Sequence, residues 1–437
     1  MKTSTLILRN LTYYWRTNLA VVLGVATAVA VLAGALVVGD SVRASLGQIF
    51  LNRIGKTDHV ISATGFFREQ LAGDIQSKDE FKSRFSGAAP IIALNAFVTH
   101  EKSRRRASSV QLYGVDDRFW QFHSLQGVKA PGEREVLISP DLARELGSEP
   151  ADSILLRVEK PSAIPAESLH GRKEELGRTI RLTIRETLEP AALGEFSIRP
   201  RQGGVRAVFV SLARLQKDLE QPGKANAILI SENMPGASGG AAAVEDLLRE
   251  TFALEDLGVR LRALDAERGI SLESESALIG DKLFASAQAA AQKSDLSISP
   301  VLSYLANSIR SGEGNIPYSL VTGVSAGRFG ALDNAGGNPI ILNEWAASDL
   351  GVRPGDEVTL EYYLWKDDGR LVTETARFQF AAAVTIAGAA SDRDLVPDYP
   401  GITETESLSD WDPPFPIDLE RVRPKDEEYW EQYRTTP

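Results

Sequence analysis

Side chains able to do bond chemistry are few in this chain and poorly spaced for it. Gly323-Val324-Ser325-Ala326-Gly327 satisfies G-x-S-x-G, the pattern that places a hydrolase serine on a sharp strand-to-helix turn. That fold orders serine, acid and histidine along the chain. All four histidines, His59, His100, His123 and His170, precede Ser325. No two of them stand at helical or hairpin ligand spacing, so they do not form a zinc pattern. Cysteine is absent, which removes thiolate catalysis, disulfides and Cys-based metal sites together. "SGEGNIPYS" (Ser311 to Ser319) has too few glycines and no following Lys-Ser/Thr for a phosphate loop, and no Walker motif occurs. The expectation is therefore no catalytic residue, no cofactor and no metal, with substrate-binding residues unknown; an anchored enzyme acting through Ser325 is the dissenting reading.

Arg104, Arg105 and Arg106 lie in "EKSRRRASS", between strand-like "NAFVTH" and "SVQLYGV". This is hairpin-tip composition: a solvated turn, or a contact for lipid headgroups or a partner. The formal charge of −11 argues against a sequence-independent grip on nucleic acid. A chain of 437 residues exceeds what one core usually holds, and 43% hydrophobic, 24% charged and 7% aromatic residues describe a mainly water-soluble protein.

The elements that must position any site begin with Leu19 to Val38, which carries no polar side chain except Thr27. Twenty such residues rise about 30 Å as a helix, the thickness of a bilayer's hydrocarbon core. The leader carries Lys2, Arg9 and Arg16 and no acidic residue, which keeps the N-terminus cytoplasmic and sends the rest of the chain outside. Leu6, Leu8, Leu11, Tyr14 and Trp15 alternate with those charges as in a helix lying on a membrane surface. A signal peptide cut near Ala35 is the other reading; its apolar core would be shorter.

The soluble part repeats itself. "EVLISPDLARELGSEPADSILL" from Glu135 aligns with "PIILNEWAASDLGVRPGDEVTL" from Pro339, each reading as strand, capped short helix, Leu-Gly, a Pro/Asp turn and a second strand. Upstream stand "VQLYGVDDRFW" and "YSLVTGVSAGRFG"; downstream stand "RTIRLTIRETL" and "ARFQFAAAVTIAG". Because the place equivalent to Ser325 in the first copy is Asp116, the G-x-S-x-G reads as a structural turn. Between the copies, "RAVFVSLARLQKDLEQPGKANAILI" reads as strand, helix and strand. A helix is expected from Gly280 to Lys293, with Leu283, Phe284, Ala287 and Ala291 in one stripe.

The stretch "LRNLTYYWRTNLAVVLGVATAVAVLAGALVVGDSVRASL" resembles the N-terminus of FtsX-like, macrolide-exporter-type ABC-transporter permeases, and both repeats follow the strand order of their MacB-like periplasmic core domain. The acidic, Pro- and aromatic-rich "DWDPPFPIDL…RPKDEEYWEQYRTTP" resembles a connecting segment of long-form members. The resemblance implies the N-terminal part of a permease subunit that works with a separate ABC ATPase subunit, a second permease copy and the lipid bilayer. It also implies an inner-membrane location and an extracytoplasmic domain moving as a mechanical relay. The expected fold is α+β, with one transmembrane helix and a two-lobed extracytoplasmic domain containing an internal repeat. Its expected divisions are a leader at 1–18, a span at 19–38, a first lobe at 39–270, a helix plus second lobe at 271–390 repeating 110–190, and a connecting segment at 391–437. A single-span adaptor without transport activity remains the alternative.

Overall fold

A computed structural model describes residues 3–159, 177–199, 203–264 except 235 and 237, 269–274, 278–325, 337–366, 370–391, 405, 411 and 416–433. They form two compact units, the first within Met1–Thr64, Glu69–Val158 and Thr179–Thr251, the second within Gly65–Arg68, Glu159–Arg178 and Phe252–Pro437.

The first unit opens with α1 (Thr3–Tyr13) and α2 (Trp15–Ile54). No residue of either helix is buried against the protein, and α2 is long and apolar enough to cross a membrane. Its 40 residues rise about 60 Å, twice the hydrocarbon thickness. The helix does not stop where the apolar stretch ends at Val38; it continues through Asp40 and Arg43 to Ile54, so span and stalk are one rod.

Then follow β1 (His59–Arg68), α3 (Gln70–Ser77), α4 (Asp79–Arg84), β2 (Phe85–His100), β3 (Arg106–Val115), α5 (Asp117–Phe122), β4 (Glu135–Ile138), α6 (Pro140–Leu146), β5 (Ser153–Glu159), β6 (Gly177–Thr187), β7 (Ala207–Ser211), α7 (Leu212–Asp218), β8 (Lys224–Glu232) and α8 (Gly240–Thr251). The sheet order is β1-β8-β2-β3-β7-β4-β6-β5, and β5 returns to pair with β2. Six strands, β2, β3, β7, β4, β6 and β5, thus close on themselves. Closure depends on β7, which lies parallel to β3 and antiparallel to β4. Tyr113 and Phe209 of this sheet form one buried cluster with Phe119, Trp120 and Phe196, each at most 2% exposed. A strand buried on both sides reads as continuous aliphatics, which is why "EVLI" lacks alternation.

The second unit contains β9 (Val259–Leu264), β10 (Gly269–Ser274), α9 (Asp281–Lys293), β11 (Leu302–Ser311), β12 (Gly314–Gly323), β13 (Pro339–Asn343), α10 (Glu344–Leu350), β14 (Glu357–Trp365), β15 (Leu371–Val384) and α11 (Pro424–Tyr433). β9 and β10 form an antiparallel hairpin. In α9 the four half-buried residues are Leu283, Phe284, Ala287 and Ala291, the expected stripe. The remaining sheet runs β12-β11-β14-β15-β13.

Pairing for pairing, this sheet repeats the first. β11–β12 matches β2–β3, β11–β14 matches β2–β5, and the parallel pair β13–β15 matches β4–β6. Even the irregularities recur: the register shifts between Val136 and Leu137 in one copy and between Ile340 and Ile341 in the other. Ser139 and Asn343 cap α6 and α10 with their side chains, and Gly147 and Gly351 end those helices with φ of 60° and 65°. In the turns that follow, Asp152 accepts from the Glu149 N–H at 3.0 Å and Asp356 from the Arg353 N–H at 2.7 Å.

The C-terminal segment does not float. Tyr429 stacks on Trp345 at 4.4 Å and receives a 2.9 Å hydrogen bond from the Asn343 amide. Arg423 joins Asp349 to Asp426, and Trp411 packs beside Tyr318 and Trp430. Tyr399 and Phe415, aromatics of the same segment, lie outside the described residues.

Candidate functional site

The residues with chemical potential are not brought together. Ser325 follows β12, and its Oγ accepts from Ser299 Oγ at 3.3 Å; Ala326 and Gly327 lie outside the described residues, as does His170. His59 bonds Glu232 at 2.9 Å. His100 is buried, with Nδ1 2.8 Å from Ser103 Oγ and Nε2 3.2 Å from Asp152. A serine, histidine and aspartate in a row suggest a triad, but Ser103 Oγ donates to the Leu146 carbonyl at 2.9 Å. Its proton is committed to tying the β2–β3 tip to the end of α6. Arg104, Arg105 and Arg106 are exposed at that tip.

Where the long helix enters the first unit the contacts are dense. Arg53 in the last turn of α2 sends Nε and Nη2 to Glu195 at 3.2 and 3.1 Å, and Nη2 also donates to the Gly203 carbonyl at 2.7 Å. Its own carbonyl accepts from the Ser197 N–H at 3.3 Å. Only 11% of the Arg53 side chain is exposed, so this fork is shielded more than a surface ion pair.

Gly55 then turns the chain with φ 59° and ψ −126°, a conformation that residues with a Cβ resist. A Cβ there would stand 2.6 Å from His123 Nδ1. The next N–H, of Lys56, donates to that same Nδ1 at 3.2 Å, and the Lys56 ammonium reaches Ser124 Oγ at 2.6 Å. His123 is buried against Phe119, Phe122 and Phe196, with ring centroids at 4.7, 4.8 and 5.5 Å. Burial, then the Lys56 charge, push its pKa down to about 3. A neutral ring accepting at Nδ1 fits a backbone N–H; a protonated ring would present a second donor there.

Past Lys56 the chain enters β1, which pairs with β8. Asp58 fixes that entry, accepting the Glu232 N–H at 2.7 Å while its own N–H donates to the Ile230 carbonyl at 2.9 Å. The membrane helix, one glycine and the central sheet are therefore in series. Sequence reading did not single out Arg53, Gly55, Lys56, Glu195 or Gly203. The glycine just after a helix in "NRIGKTDHV" was the available signal. Glu195 and Gly203 reach Arg53 from far along the chain and leave no local pattern.

One long apolar helix continuous with a sheet-rich α+β unit defines a membrane-anchored protein carrying a domain of periplasmic type. The family model of the MacB-like periplasmic core domain matches residues 19–243, just over half of the chain, and the chain belongs to that family, the MacB/FtsX-like permeases of ABC transporters. Among solved structures, it is similar to the periplasmic region of MacB from Actinobacillus actinomycetemcomitans at 9% identity, over 55% of this chain and 95% of that one, with a TM-score of 0.28. That score is too low to bear on the fold. No curated protein matches the chain.

Proposed function

We propose that this chain is a permease component in which a separate ATPase, acting on the membrane-embedded part of a dimeric assembly, moves the extracytoplasmic units as a mechanical relay. The leader lies on the cytoplasmic side of the bacterial inner membrane and both units lie outside it. Cargo export or release follows from displacement, with no bond chemistry in this chain.

The observation that carries this reading is the unbroken α2 and its fixed end. A helix of 40 residues held by Arg53 and turned by Gly55 transmits rotation or translation into β1 and the sheet behind it. A flexible linker would absorb such a movement.

The test is purification from native membranes in mild detergent, followed by mass spectrometry and mass measurement. A nucleotide-binding subunit and two copies of this chain in one complex are expected. Full activity of a soluble fragment released by cleavage near Asp40, with no ATPase copurifying, would assign the chain to the adaptors instead.

A further inference from the structure

Three consecutive arginines stand at the tip of the β2–β3 hairpin. Arg104, Arg105 and Arg106 are exposed, as is Arg157, which lies on β5 directly opposite Phe97 of β2. Among the described residues none of these four guanidinium groups has an ion-pair or hydrogen-bond partner. Elsewhere in the same unit arginines are paired, Arg118 with Asp116, Arg185 with Glu135 and Arg214 with Asp218. Three carboxylates close to the tip are already engaged: Glu101 holds Arg181 at 2.7 Å, Asp152 lies 3.2 Å from His100, and Glu145 holds Arg206 at 3.1 Å. In a chain of formal charge −11 the tip is a local excess of positive charge.

The tip is also held in place from behind. His100, 1% exposed, lies 2.8 Å from Ser103 Oγ, which donates to the Leu146 carbonyl at 2.9 Å. The Arg104 N–H donates to the His100 carbonyl at 2.9 Å, the His100 N–H to the Arg105 carbonyl at 3.0 Å, and the Glu101 N–H to the Ser153 carbonyl at 3.2 Å. A turn that only reverses the chain needs no buried histidine behind it. A turn that presents charge in a fixed arrangement gains from one, because donors ordered beforehand lower the entropy cost of binding. Phe97, 55% exposed, adds an apolar ring: it faces Arg157 and stands two residues along β2 from Thr99, the partner of Arg106. Arginine beside an exposed aromatic ring is the composition that dominates protein interfaces.

We infer that the β2–β3 tip and the adjoining outer face of β2 and β5 dock an acidic segment of a partner protein. Carboxylates of that segment take the forked donors of Arg104, Arg105 and Arg106, and an apolar side chain between them rests on Phe97. Phe97 lies about 10 Å back along the strand from the tip, so a chain laid along the sheet meets both, whereas a flat layer of headgroups touched by the tip meets the arginines alone. This does not rest on the coupling reading, since a permease and an adaptor could both use such a surface.

The test titrates the full chain, held in nanodiscs of zwitterionic phosphatidylcholine, into a fluorescent poly-glutamate peptide ending in phenylalanine and follows anisotropy. The expected result is saturable binding that weakens at least tenfold when Arg104→Ser, Arg105→Ser and Arg106→Ser are combined, and at least threefold in Phe97→Ser. Removing three exposed cations of the second unit, by Lys282→Ser, Lys293→Ser and Arg353→Ser together, should change it less than twofold. No binding at millimolar peptide, or equal loss in the two triple variants, overturns the inference. So does tighter binding to phosphatidylglycerol vesicles than to the peptide, lost in the same tip variant, which assigns the arginines to lipid headgroups.

Discussion

Two sheets built from the same succession of elements are stabilised differently. In the first, β7 sits between β3 and β4, and the cap of α6 bonds it, so that Leu137 at the middle of β4 is completely buried. In the second, the equivalent Ile341 is half-exposed, and the cap of α10 bonds Tyr429 of the C-terminal segment. The repeated part is a frame of strand pairs and a capped helix. What completes the frame is separable from it, and only the completed copy carries the membrane helix. A load from α2 enters through β1, which lies outside the ring and pairs with β8, so closure steadies the part of the sheet behind the strand that is pulled.

The largest expected contrast is therefore between equivalent core positions. Leu137→Ala should cost the first unit about 2–5 kcal/mol, as buried leucines do. Ile341→Ala should cost the second about 1 kcal/mol, since its side chain is already partly in water. Denaturant unfolding read by hydrogen exchange in each unit checks both, and equal losses would break the comparison.

Acid should separate the units next. His123 has a pKa of about 3 in the folded chain against 6.5 for a free histidine. Between those values the unfolded chain binds a proton that the folded chain refuses, so stability from this group is full above pH 6.5 and falls as pH drops through the window. The loss is about 2 kcal/mol by pH 5. No histidine follows His170, so residues 252–437 contain none. Melting of wild type and His123→Gln between pH 7 and 5 should converge as the pH falls.

Gly55→Ala should cost about 1–3 kcal/mol through its backbone conformation and the His123 collision, while Gly351→Ala, with nothing near its Cβ, should cost about 1 kcal/mol. Spin-label distances between α2 and β8 should broaden only in the Gly55 variant. Smallest are the caps: Ser139→Ala and Asn343→Ala should each cost about 0.5–2 kcal/mol. The serine should be the larger, because its loss also strands the buried Ala207 N–H.

Much of this frame was legible in the sequence. The repeat showed in "EVLISPDLARELG" against "PIILNEWAASDLG" because a capped short helix ending in Leu-Gly has few sequence solutions, and the span showed because twenty apolar residues have almost none. The α9 stripe followed from period alone. Closure by β7 was not legible: "RAVFV" reads as a buried strand, but which strands flank it depends on pairings with residues about 70 and 95 positions upstream. The junction was invisible for the same reason, since Arg53 finds Glu195 and Gly203 only after the chain has folded.

One copy of the frame is closed by β7, and among the described residues no strand closes the other. Amide exchange measured on the intact chain in micelles, comparing residues 136–139 with 340–343, tests it most directly. In the first copy the Ser139 N–H donates to the Ala207 carbonyl at 2.9 Å, so that segment should exchange only with unfolding of the whole unit. Its counterpart should exchange at least a hundredfold faster at the amides facing away from β15. Equal protection of the two segments would contradict the account.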